Sequence, residues 1–437
     1  MLSVLPALAM PAGAVVVNVS TSAQLIQAID GAAPGQVIVL APGTYTVNQN
    51  LLCDTAGAPN APIVVRAAGL GQALIRFNAV EGFKVSAPHW RFENLDVQGV
   101  CAAHSSCEHA FHVVGGADFT EIRGNRLRDF NAQIKGNGEG APFVFPDDVR
   151  IELNEFANAT VRNTSNPVTP IDVVGGRRWV VRANFIHDHA KGLGDQISYA
   201  AFLKGNSRDG LFERNLVICE RDHTGGVRLG LSFGGGGSGP GPICEDGVCT
   251  PEHQNGMMRN NLIVNCPADV GIYLNAATST RLYHNTLIDT TGIDVRFPSS
   301  TADIRNNLVS GQIRNRDGGT STAVGNLTGI TLAQYQAWFA DPEAPDLTLL
   351  DGSAFVDLGA VLAASPADYC ANPRDDGAAD LGAVEFDGAA CSASLAGGGT
   401  FIYEDGFETG GAGRWTLVTP ALAGSGSCCR SGAGSRR

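Results

Sequence analysis

An asparagine returns along this chain in the same local setting, at a spacing that calls for stacking. EIRGN ends at Asn125, RIELN at Asn154, VVRAN at Asn184 and LFERN at Asn215; MMRNN, RLYHN and DIRNN follow at Asn261, Asn285 and Asn307. Successive gaps are 29, 30, 31, 46, 24 and 22 residues. Each asparagine follows an apolar/polar alternation, the period-two signature of a strand, and precedes a short apolar run. Between two strands, asparagine marks a turn that tolerates a left-handed backbone. A unit this short cannot bury its own apolar face and must stack on copies of itself. The spacing predicts an all-β fold, a right-handed parallel β-helix with one coil per repeat. Its stacked asparagines hydrogen-bond from coil to coil and serve the scaffold.

The rest of the chain fits that plan. Glycines number 55 and charged residues make up 17%, as many short strands and tight turns require. A solenoid grows by repetition, so 437 residues need no division into separate cores. Residues 20 to 34 read as an N-terminal capping helix, with Ser20 or Thr21 as N-cap. Coils end near residue 330; a short helix or loop follows, and SPADYC to DLGAVEF reads as a closing strand unit. The solenoid domain is placed at 15–396. A Gly397-Gly398-Gly399 hinge and a small-residue tail with a DGFETG motif occupy 397–437.

The formal net charge is -13 and no basic stretch dominates, which argues against a nucleic-acid partner. An acidic polysaccharide stays compatible, because a groove on an acidic protein can be locally basic. The first 14 residues are an apolar run ending in Ala12-Gly13-Ala14, which fits a secretory cleavage site. No Lys or Arg precedes it, so the signal reads as truncated; the run is too short for a membrane span. The expectation is a secreted or cell-surface monomer. Eleven cysteines agree with an oxidising compartment. Cys101 with Cys107, Cys244 with Cys249 and Cys370 with Cys391 are spaced for disulfides, and Cys219 and Cys266 fall at similar offsets in adjacent coils. The odd count leaves a free thiol at Cys53 or in the pair Cys428 and Cys429. His187 and His189 flank Asp188 after a turn asparagine; a surface turn suits them better than a metal pair, and no metal site is assigned.

A second periodic signal carries the chemistry. Counting back from the asparagines finds another strand in each coil: AFHVVGG, AQIKGNG, PIDVVGG, AFLKGN, GVRLG, GIYLN and GIDVR. Aligned, they put His112, Lys135, Asp172, Lys204, Arg228, Tyr273 and Asp294 in one outward column, with apolar neighbours turned inward. Two residues on, Asn137, Asn206, Asn275 and Arg296 share that face. Coils stack about 4.8 Å apart, which would bring Lys135, Asp172, Lys204 and Arg228 within mutual reach. The column reads either as a solvated charge ladder or as a carbohydrate groove walled by the glycine-rich segment and neighbouring loops. Asp172 and Asp294 are about 19 Å apart on this spacing, too far for the carboxylate pair of a glycosidase.

The opening AIDGAAPGQVIVLAPGTY, then PIVVRAAG and HWRFENLDVQG, resembles secreted β-helix proteins of the pectate-lyase-like superfamily. The likeness is nearest to the alginate lyase and chondroitinase B type of polysaccharide lyase. That type pairs a lysine on one coil with an arginine on the next, as Lys204 and Arg228 flank Asn215 here. The resemblance implies β-elimination of a uronic acid in an extracellular polysaccharide. Lys204 would be the base, with Arg228 at the carboxylate or leaving oxygen and Tyr273 as an alternative proton donor. His112, Lys135, Asn137, Asp172, Asn206, Asn275, Asp294 and Arg296 would bind substrate. The resemblance also implies a calcium ion held by acidic residues just before the lysine; Ile197 and Tyr199 stand there, leaving Asp172 or Asp195 as substitutes. The non-enzymatic alternative is a polysaccharide-binding or adhesion solenoid.

Overall fold

The structure is a computed structural model and describes residues 15–235 and 243–386. The predicted signal segment, the tail with DGFETG, Cys391, Cys428 and Cys429 lie outside the described residues. Among the described residues, three long sheets run the length of the molecule: sheet A with 12 strands, sheet B with 11 and sheet C with 10. Every pairing within them is parallel, and a strand's neighbours come from the preceding and following coils. One coil contributes Glu121–Arg123 to A, Arg126–Arg128 to B and Ala132–Asn137 to C. This is the predicted parallel β-helix. Its interior is a continuous apolar stack that includes Phe83, Phe92, Phe111, Ile134, Ile171, Leu231 and Ile293.

The asparagine ladder sits between sheets A and B. Asn154 Oδ1 accepts from the Asn125 backbone N–H at 2.9 Å and from its Nδ2 at 3.0 Å. The pattern repeats through Asn184, Asn215, Asn261, Asn285 and Asn307 and ends on Asn326, an eighth rung beyond the repeat read from the sequence. Each Nδ2 also donates to a strand carbonyl of the previous coil, as from Asn215 to Val181. The left-handed residue is the one before the asparagine: Leu153, Ala183, Arg214 and His284 have φ between 52° and 61°. Non-glycine residues there cost about 1–2 kcal/mol each, and the asparagine bonds offset that cost by satisfying buried turn backbone.

The two ends are closed differently. At the N-terminal end α1 (Ser22–Asp30) lies against the stack with Leu25 and Ile29 buried, and Thr21 is its N-cap. At the other end the last coil turns polar. Where earlier coils send Val295, Ala302, Ile304 and Val309 inward, their partners are Asn315, Ser321, Ala323 and Thr328. Ser321 Oγ donates to Asn315 Oδ1 at 2.9 Å. Capping repeats with a polar outer face are what a solenoid end needs in water.

After the last coil comes α2 (Leu332–Trp338), with a full capping box of Thr331 and Gln334. The following chain adds no further coil. It folds back over the outer face of sheet B, burying Tyr335, Trp338, Phe339, Phe355 and Leu381 against Phe185, Leu216, Leu262 and Ile288. SPADYC to DLGAVEF is therefore an irregular cover rather than a strand unit; it carries only isolated bridges such as Ala367 to Pro373. The buried Arg374–Glu385 pair fixes it internally, and the His284 ring bonds the Asp380 carbonyl at 3.0 Å. Disulfides join Cys101 to Cys107, Cys219 to Cys266 and Cys244 to Cys249, as their spacing suggested. Cys370 is also disulfide-bonded, and Cys53 is a buried free thiol.

Candidate active site on sheet C

The three outer faces differ in what they offer a ligand. Sheet A carries a ladder of alternating charge, such as Arg91 to Glu121 at 2.8 Å and Glu213 between Arg182 and Arg259 at 2.7 Å each. Sheet B is covered in its later coils by the C-terminal segment. Sheet C has chain leaving both ends of its strands, at 138–148 and 243–252 on one side and 188–196 and 220–226 on the other. Phe143 and Val144 stand exposed on one of these loops, which Phe145 tacks down against Gly175.

The register of sheet C revises the sequence alignment. His112 pairs with Lys135, Lys135 with Asp172, and Asp172 with Phe202 rather than Lys204. The column continues through Ser232, Tyr273, Asp294 and Arg314. Lys204 belongs to the parallel column two residues on, opposite Val174, in line with Asn137, Asn275 and Arg296. Arg228 is not on this face. It pairs with Ser198, six residues before Lys204, or about 20 Å along the strands. Its guanidinium is 1% exposed and braces a turn, bonding the Cys219 and Gly225 carbonyls and the His223 ring. The lysine–arginine pairing expected from the resemblance does not form.

Along the first column, charges neutralise one another. Lys84 binds Glu139 at 2.6 Å, and Lys135 binds Asp172 at 2.7 Å. The His112 ring lies 2.7 Å from both Glu81 and Asn137 Oδ1, so both nitrogens face acceptors. His112 hydrogen-bonding, more than burial opposes it, holds the Glu81 carboxyl below its ordinary range. Asp294 is buried between Arg314 and Arg316 and presents nothing to a ligand. Asn206, also proposed for substrate, is buried and donates to the Pro251 carbonyl at 2.8 Å.

The ladder breaks over three coils, where Phe202, Ser232 and Tyr273 stand in place of charged residues. Lys204 lies there, its ammonium 4.4 Å from the centre of the Phe202 ring. Burial lowers the Lys204 pKa and nearby Lys135 adds to this, while Asp172 and Glu252 oppose it. Tyr199, Phe202, Leu229, Val270 and Tyr273 form a small aromatic and aliphatic cluster on this stretch. The Tyr273 hydroxyl receives Asn275 Nδ2 at 3.3 Å and Arg296 Nη1 at 3.2 Å. Two donors on its lone pairs leave its own proton to be given away. Sequence reading missed Phe202 and Glu252. Neither carries a periodic signal, and Phe202 looks like one more core residue.

A calcium site does not fit this stretch. Asp172 is spent on Lys135, and Asp195 pairs with Lys191 on an exposed turn. Two carboxylates already held in ion pairs do not supply the six to eight oxygens calcium takes. Among the described residues, His187, Asp188 and Asp222 bring metal-ligating atoms within 4.8 Å of one another. Asp188 there already accepts three backbone N–H groups and the His187 ring, at 2.7 Å. Arg221 and Arg228 adjoin the cluster, so a further cation would meet two guanidiniums. His187 and His189 are buried rather than on a surface turn; His189 instead faces the Leu229 carbonyl at 3.1 Å.

No family model matches the chain. It is 28% identical to pectate lyase L of Dickeya chrysanthemi over 170 residues, 32% of this chain and 40% of that protein. Over 195 residues it is 28% identical to pectate lyase L of Dickeya dadantii, 36% of this chain and 45% of that one. This chain is a parallel β-helix with partial similarity to pectate lyase L. Its match spans less than half the length of either relative. Among solved structures, pectate lyase Pel9A aligns with 82% of this chain and 90% of its own, at 13% identity and a TM-score of 0.46. A rhamnogalacturonan lyase covers 69% of this chain and 82% of its own, at 14% identity and a TM-score of 0.45. No helix among the described residues is long and apolar enough to cross a membrane.

Proposed function

We propose that this protein is a secreted, monomeric polysaccharide lyase that cleaves a uronic-acid-containing glycan by β-elimination on the outer face of sheet C. The observation that carries this reading is Lys204. It is a lysine of lowered pKa lying over Phe202 where the charge ladder is interrupted. A neutral amine there can take the proton alpha to a uronate carboxylate. Tyr273, about two coils away (~10 Å), would protonate the leaving glycosidic oxygen. Lys135, Asn137, Asn275 and Arg296 line the same face and would hold neighbouring carboxylates and hydroxyls, while His112 and Asp172 orient them. Arg228 takes no part in this scheme. Similarity to pectate lyase L supports the substrate class, and the disulfides support secretion.

The test is ultraviolet absorbance of unsaturated uronide product on mixing the protein with a panel of uronic-acid polysaccharides, beside Lys204→Ala. A rise abolished by the substitution supports the lyase. Binding without any rise makes sheet C a recognition surface, the non-catalytic reading.

A further inference from the structure

We propose that Glu252 is the positioning residue for Lys204, reaching it from the disulfide-stapled loop. This inference rests on the reading of Lys204 as the base. The strand carrying Lys204 ends abruptly: Gly205 and Asn206 both have left-handed backbones, with φ of 71° and 62°. A side chain on Gly205 would meet Val174 Cγ1 at 2.6 Å, so the turn is fixed from below. From the outer side it is fixed by the segment that Cys244 and Cys249 close. The Gly205 N–H donates to the Glu252 carboxylate at 2.8 Å, and the Glu245 N–H donates to the Gly205 carbonyl at 3.0 Å. Asn206 Nδ2 donates to the Pro251 carbonyl at 2.8 Å. Arg177 Nε donates in turn to the Glu245 side chain at 2.6 Å.

This segment therefore grips the residue next to Lys204 on both its peptide groups. Glu252 is 6% exposed, so its charge is poorly screened by solvent. It sets where the lysine stem leaves the sheet. With Asp172 it also supplies negative charge that opposes burial and Lys135 at the amine. The carboxylate accordingly has two separable effects, one through its oxygen acceptor and one through its charge.

Two substitutions separate them. Glu252→Gln keeps an acceptor for Gly205 and removes the charge; Glu252→Ala removes both. Competitive acetylation with acetic anhydride, read by mass spectrometry across pH, gives the titration midpoint of the Lys204 amine without any turnover. Hydrogen-exchange mass spectrometry of the peptide containing Gly205 reads the grip. Glu252→Gln should lower the Lys204 midpoint by roughly one pH unit and leave Gly205 exchange as in the parent protein. Glu252→Ala should lower the midpoint and speed Gly205 exchange roughly tenfold, as losing one charge-assisted bond would. An unchanged midpoint in Glu252→Gln overturns the proposal, as does unchanged exchange in a folded Glu252→Ala. If the alanine protein does not fold, the glutamine variant decides alone. Failure of the reading it rests on would show separately, as no elimination at all or as elimination that persists in Lys204→Ala.

Discussion

Lys135 Nζ lies 2.7 Å from Asp172 Oδ1, and Asp172 stands diagonally across one coil step from Lys204. The ion pair is thus part of the electrostatic setting of the candidate base. Burial depresses the Lys204 pKa, Asp172 restores part of it and Lys135 lowers it again.

Replacing Lys204 by Ala should reduce elimination by about 10²–10⁴-fold, the usual worth of a general base. Lys204→Arg should be nearly as poor, because a guanidinium does not release its proton near neutral pH. Initial rates on a uronic-acid polymer check both, and circular dichroism confirms that the variants fold.

The rate should rise with pH as Lys204 loses its proton, at a lower pH than an ordinary lysine would allow. Asp172→Asn removes an anion that raises the Lys204 pKa and leaves Lys135 unneutralised. Both changes act in one direction, so the rising limb of kcat/KM should move to lower pH by about one unit. A limb that stays put would separate Lys204 from the proton transfer.

Acid should unfold the protein through the cluster around His187. Although burial pushes the other way, hydrogen bonds from His187, with further help from Arg126 at Glu155, hold Glu155 and Asp188 at about 2. Each carboxylate contributes stability that is complete above its unfolded pKa near 4 and lost as pH falls toward 2. The worth is on the order of 2–3 kcal/mol apiece. His187 behaves oppositely. Against burial, Asp188 and Glu155 raise its pKa, so its contribution is complete below about 6.5 and fades as pH rises through the raised value. His187→Gln should lower thermal stability more at pH 5 than at pH 9, measured by Tm against pH.

Asn215→Ala should cost roughly 2–4 kcal/mol, since it strands a buried N–H of Asn184 and the carbonyl of Val181 together. Asn326→Ala, at the half-exposed end of the ladder, should cost about 1 kcal/mol or less. Urea unfolding midpoints of the two variants give the comparison.

The fold was legible because the ladder needs the same side chain in every coil. Only asparagine offers both an acceptor for the next rung and a donor for a strand carbonyl at that reach. Cys219 and Cys266 were legible for a related reason, lying in adjacent coils of sheet B at nearly equal distance from the ladder. The site was only partly legible. Eighteen residues separate Asn154 from Asp172, but twelve separate Asn261 from Tyr273, because the turns between sheets B and C vary. Counting from the asparagine therefore cannot fix register on sheet C. Two residues of slip keep a side chain on the outer face, so Lys204 was placed on the right face but in the wrong column. Arg228 misled for another reason. A charged residue near the start of a strand reads as outward, yet turn carbonyls can bury it. Glu252 left no periodic trace because the loop that bears it occurs in a single coil.

The polar last coil makes the length of this molecule a property written into its sequence. Asn315 and Ser321 join hands where another apolar layer would have to sit, so nothing can be added beyond them without stranding that bond under a new coil. A lineage that lengthened the groove would have to insert its extra coil upstream, between rungs of the asparagine ladder, where each new coil finds a ready partner on both sides.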